Sequence, residues 1–178
     1  VLKDGKLVYS RLIPFAGNSI SHAVADTLGI DVKLAEQKKI DLEIDVSEDG
    51  RKAEKSEQFY KRNRIEKKDY AKVIKAVRGV FEDIASDIER SVLSLPCTSP
   101  EFYFLSGGAS LHPGAGEFLE KNIEARMRPY PLDMGKSEDI AIWATAIGTG
   151  EHYRLKESQR LDFLSGPFGS TLRRSEFN

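Results

Sequence analysis

Two groups of residues in this chain have types and a spacing that could do chemistry. In "AEQKK", Glu36 and Lys39 stand three apart. On a helix that spacing puts a carboxylate and an ammonium on one face, where together they could hold a ribose and an adenine edge; the same two residues also make an ordinary surface ion pair of about 0.2 to 0.5 kcal/mol. In "FLSGGASLHPG", an apolar run ends in Gly107, Gly108, Ala109 and Ser110, with Pro113 following. A glycine pair at the end of a strand lets a flat ligand approach the backbone, because no Cβ stands in the way. Ligands of α/β folds sit beyond the carboxyl ends of strands. The stretch is neither GxGxxG nor GxxxxGK followed by Ser or Thr, so a nucleotide turn and a tight corner into a packed helix both stay open.

The remaining reactive residue types suggest no catalytic group and no metal site. His22, His112 and His152 are scattered without ligand spacing. No Ser/His/Asp order or carboxylate pair stands out, and Cys97, the single cysteine, reads as a small apolar group beside Pro96. With 27 Lys plus Arg against 28 Asp plus Glu, the net charge is -1. That balance lacks the basic footprint of a nucleic-acid partner. No apolar run approaches the roughly 20 residues of a membrane helix.

The elements that must position these groups read as follows. "VLKDGKLVYSRLI" is a hairpin turning at Asp4-Gly5, with its second strand running to Ile13. Asn18 or Ser19 caps a helix through Leu28, stopped by Gly29, and Asp31 caps a second helix that carries Glu36 and Lys39. From Asp41 to Lys68 apolar periodicity is lost, which predicts a mobile loop or weakly ordered insertion. Apolar residues recurring from Tyr70 to Val92 predict a long helix over about Asp69 to Leu95, with Asp87 on its solvent face. Glu101 to Leu105 has the near-continuous apolar character of a strand buried on both faces. A helix from about Gly114 to Ala125, a strand in "RMRPYPLD" and a helix led by Ser137, with Ile140, Trp143, Ala144 and Ile147 inward, complete the pattern. This alternation argues an α/β fold with a mixed sheet flanked by helices. Residues 1–40 and 96–156 form its core, 41–95 a smaller inserted helical subdomain, and 157–178 a tail.

Taken in order, these pieces resemble the second lobe of the actin-like ATPase (ribonuclease H-like) fold. "LSGGASLHPG" is similar to that superfamily's adenosine motif, and Glu36 and Lys39 match its nucleoside-contacting Glu and Lys. Within it, "DGKLVYSRLIPFAGNSISHAVADTLGIDVKLAEQKK", "FEDIASDIERSVLSL" and "FYFLSGGASLHPGAGEFLEKN" most resemble the type IV pilus assembly protein PilM and the cytoplasmic part of type II secretion protein L, with FtsA sharing the same order. The resemblance implies that Glu36, Lys39, Gly107, Gly108, Ala109 and Ser110 contact a nucleoside. It implies a cytoplasmic scaffold of an inner-membrane pilus or secretion platform. Its partners would be the cytoplasmic segment of an inner-membrane assembly protein, a secretion or assembly ATPase, or a second copy of the chain. "RLDFLSGPFGS" resembles the segment by which such chains leave the fold towards those partners. The superfamily's two Asp-x-Gly phosphate hairpins are missing, so ATP and magnesium are expected only in a longer parent, with no turnover by this chain. The alternative is a fragment of an ATP-hydrolysing, FtsA-like division or assembly protein.

Overall fold

The structure is a computed structural model that describes residues 1–3, 6–47, 55–95, 99–128 and 137–154. Of the described residues, 63% are helical and 6% lie in strands. The strands are β1 (Leu2–Lys3), β2 (Lys6–Leu7), β3 (Tyr103–Phe104) and β4 (Met127–Arg128). β1 pairs with β2 antiparallel and β3 with β4 parallel, as two separate two-residue ladders. This corrects the α/β expectation: no mixed sheet flanked by helices joins the hairpin to the strands at Phe102 and Met127. The physical reason shows at β3. Phe102 and Phe104 are 42% and 40% exposed, so the apolar run is not buried on both faces, and among the described residues no third strand extends the pairing.

Helices carry the core. Of α1 (Gly17–Leu28), α2 (Val32–Asp41), α4 (Lys67–Leu93) and α5 (Ala115–Ile123), α1 packs against both α2 and α4, and α4 against α5. The predicted stripe is the buried one: Ile20 and Val24 of α1 meet Tyr70, Val73, Ile74, Val77 and Phe81 of α4, and Phe118 and Leu119 of α5 close the cluster. Each such side chain stabilises the fold by about 1.5 to 3 kcal/mol on burial. Gly29, at φ 62°, stops α1 in the left-handed region, and Asp31 caps α2 by accepting from the Lys33 N–H at 2.8 Å. Asp87 departs from its expected solvent face. It is buried, with its carboxylate 3.3 Å from Arg90 and 3.7 Å from Arg11.

The charged region does not read as one loop. Leu42, Ile44 and Val46 are buried, while Glu43 is exposed and Asp45 partly so, along a segment that leaves α2 by a turn, with Leu42 in the helical region and Glu43 left-handed at φ 43°. Its backbone is tied down: the Val46 N–H donates to the Pro113 carbonyl at 3.0 Å, the Val46 carbonyl accepts from Arg78 at 3.1 Å, and the Tyr70 hydroxyl donates to the Leu42 carbonyl at 3.3 Å. α3 (Glu57–Asn63) follows, capped by the Ser56 hydroxyl on the Phe59 N–H at 3.2 Å. Its Phe59 and Tyr60 join Tyr70 in an edge-on aromatic cluster, centroids 5.5 to 5.8 Å apart.

α6 (Ser137–Arg154) buries Ala144 but leaves Trp143 60% exposed, against the inward placement the periodicity suggested. Among the described residues no helix is long and apolar enough to cross a membrane. The Asp4-Gly5 turn, Asp49-Gly50, Pro96 and Cys97, Pro129 and Pro131, and the 157–178 tail lie outside the described residues.

Candidate functional site

The site is assembled by the start of α1, the outer face of α2 and the glycine turn. α1 begins at Gly17, after an extended Ala16, and the Ser19 hydroxyl steadies the entry by accepting from the Ala16 N–H at 3.3 Å. The short link through Gly29 lays α2 along α1. That packing brings Glu36 and Lys39 opposite Gly17 and Ser21. The Lys39 ammonium donates to both Glu36 carboxylate oxygens, at 2.8 and 2.7 Å, and to the Ser21 hydroxyl at 3.1 Å. Ser21 in turn donates to the Glu36 carboxylate. Hydrogen bonds from Lys39 and then Ser21 hold the Glu36 carboxyl below its usual range, so it is ionised near neutral pH.

The glycine turn forms the facing wall. Gly107 sits at φ 84°, ψ 165°, a conformation essentially confined to glycine. A single 3-10 turn, Gly108–Leu111, follows. Ser110 closes it, donating through its hydroxyl to the Gly107 carbonyl at 2.7 Å and through its N–H to the same oxygen at 3.0 Å. A Cβ built on Gly107 or Gly108 would meet nothing within 4 Å, so the backbone there is open to an approaching flat group. At the base the two walls meet: a Cβ on Gly17 would lie 3.9 Å from the Ala109 Cβ and 4.0 Å from Lys39 Nζ.

Between them runs a cleft of about 590 Å³, lined by Gly17, Glu36 and Lys39 on one side and Gly107, Gly108 and Ala109 on the other, with Ile20, Ile40 and His112 among the remaining walls. That size falls within the usual range for small-molecule sites, about 300 to 1,000 Å³. Two smaller grooves of about 370 and 310 Å³ flank Tyr103 and Val92, but neither brings a carboxylate and an ammonium together. Convergent polar groups, rather than apolar lining, mark the larger cleft as the candidate.

His112 adds a group that its sequence position did not single out. Its ring stacks on Phe81, with centroids 5.6 Å apart and 16° between planes. Its Nε2 is buried without a hydrogen-bond partner among the described residues. Burial, helped by the nearby Lys39 charge and opposed by Asp45, pushes its pKa down to about 4. The imidazole is therefore neutral at pH 7.

Five of the six residues singled out in the sequence thus share one cleft: Glu36, Lys39, Gly107, Gly108 and Ala109. Ser110 does not line it and instead holds the turn. Gly17, Ser21 and His112 were missed. For Ser21 a signal existed, a small hydroxyl on the otherwise apolar face of α1 beside Ile20 and Val24. Among the described residues no three His, Cys, Asp or Glu side chains converge as a metal-binding group. The cleft can receive a flat, polar-edged ligand against backbone and offer it a carboxylate. Compared with protein-family models, curated proteins and solved structures, the chain matches none.

Proposed function

We propose that the chain holds the nucleoside part of an adenine nucleotide in the cleft between α1, α2 and the glycine turn, and that it does so as a non-hydrolysing scaffold. The observation that carries this reading is the convergence of Glu36 and Lys39 with Gly107, Gly108 and Ala109 on one cleft of about 590 Å³, although some seventy residues separate the two groups in the chain. A glycine-lined wall suits a base or ribose face, and the ionised Glu36 suits a ribose hydroxyl. The setting we propose is a cytoplasmic component of a type IV pilus or type II secretion inner-membrane platform. Its partners there would be the cytoplasmic segment of an inner-membrane assembly protein, an assembly ATPase, or another copy of the chain. That setting is supported by the order of the sequence stretches and not by the sheet.

The test is equilibrium dialysis with adenosine on the wild type and on Gly108→Val. Gly108 lines the cleft, has no positive φ and has open space where a Cβ would stand, so valine adds bulk to the cleft wall without a clash in the turn. The reading expects saturable binding by the wild type and a loss of roughly 10-fold or more in the variant, about 1.4 kcal/mol or more. Equal binding by both, or none by the wild type, would remove it.

A further inference from the structure

Ser21 is 1% exposed on the apolar face of α1, where alanine would satisfy packing and a hydroxyl costs stability unless it is partnered. Its partners all belong to residues that line the cleft. Ser21 Oγ lies 3.0 Å from the Gly17 carbonyl, donates to Glu36 Oε2, and accepts from Lys39 Nζ at 3.1 Å. A hydroxyl has one proton, and the carboxylate is the stronger acceptor.

Counting donors and lone pairs decides what is left for a ligand. An ammonium has three N–H groups. One is shared by the two Glu36 oxygens, one goes to Ser21, and the third points to the Gly17 carbonyl at 3.5 Å. The Lys39 side chain is only 15% exposed, so its donors are committed inside the cluster. Glu36 is 50% exposed. Of a carboxylate's four lone-pair sites, Lys39 takes one on each oxygen and Ser21 a second on Oε2. The open site is on Oε1.

We propose that Ser21 is a positioning residue, locking Glu36 to α1 so that the cluster offers the cleft an acceptor and no free cationic donor, and thereby selects ligands that present a hydroxyl there. The inference rests on the nucleoside reading of the cleft. The lowered Glu36 pKa, to which the Ser21 hydrogen bond contributes after that of Lys39, agrees with this arrangement.

The experiment compares adenosine with 2′,3′-dideoxyadenosine on the whole chain, as wild type, Ser21→Ala and Ser21→Thr, and follows the Glu36 carboxyl by 13C NMR titration without ligand. The wild type is expected to prefer adenosine by ~10-fold, the size of one hydrogen bond to a charged acceptor. Ser21→Ala should shrink that preference below ~3-fold and move the Glu36 titration up towards its ordinary range, and Ser21→Thr should restore both. A wild type that binds both ligands equally, or a Ser21→Ala chain with unchanged preference and unchanged Glu36 titration, overturns the inference and leaves the nucleoside reading intact. A wild type that binds neither ligand removes that reading, and the inference with it.

Discussion

The imidazole of His112 lies almost parallel to the ring of Phe81, 5.6 Å between centroids and 16° between planes, with its Nε2 sealed from solvent. This stack joins the end of the glycine turn to the middle of α4, the longest helix. The cleft wall and the core are therefore coupled through one titratable ring.

Protonating that ring should destabilise the fold. Its pKa is depressed from 6.5 to about 4 in the folded chain, so between those values the unfolded chain binds more protons and stability rises with pH. The contribution is fully present above pH 6.5 and is lost as pH falls towards about 4, up to about 3 kcal/mol. Urea denaturation of the wild type and of His112→Phe at pH 7.5 and pH 5 checks this. The wild type should lose more stability over that interval than the variant.

Gly114 has no tolerance for a side chain. It sits at φ 75°, and a Cβ would fall 2.3 Å from Asp45 Oδ1 and 2.5 Å from the Ser47 backbone nitrogen. Because one of those atoms is backbone, the clash cannot be relieved by a rotamer change. Gly114→Ala should cost about 3 kcal/mol or more, from the left-handed conformation and overpacking together, whereas Gly116→Ala, with nothing within 4 Å of its Cβ, should fall within about 0.5 kcal/mol of the wild type. Thermal melts of the two variants give the contrast.

Ile44 separates a packed strap from a loop. If residues 42–47 were a solvated connection, truncating Ile44 would change little. It is fully buried among the core residues, so Ile44→Ala should cost about 2 to 5 kcal/mol. The denaturation midpoint reports the loss.

Trp143 is the single tryptophan and is 60% exposed on α6. Its emission should be that of a solvated indole and should be quenched efficiently by acrylamide. A blue-shifted, protected emission would mean that α6 turns its Trp143 face inward, as the sequence pattern had suggested.

α1 and α4 are legible because their signals are long and redundant, whereas the seven-residue α3 lies in the stretch expected to be a loop. α1 and α4 repeat apolar residues at three- and four-residue steps, and Gly29 and Asp31 mark a stop and a start. The strap at Leu42, Ile44 and Val46 was overlooked because three alternating residues make a weak period-2 signal inside a charged stretch. The opposite error occurred at residues 101–105. Consecutive apolar residues look like a buried strand, but burial depends on neighbouring strands, which a local pattern does not contain. That error carried the α/β expectation with it. In the site, Glu36 and Lys39 were legible from helical spacing and Gly107 and Gly108 from the lack of Cβ atoms. Ser21 and His112 owe their roles to contacts across α1, α2 and α4, and no spacing within one segment encodes those.

Nucleoside binding in this cleft is tested most directly by an adenosine titration of the 15N-labelled chain, followed residue by residue. Saturable amide shifts are expected at Gly17, Lys39, Gly107, Gly108 and Ala109, the two walls that line the cleft. Shifts confined to the grooves beside Tyr103 and Val92, or no shifts at all, would contradict nucleoside binding there.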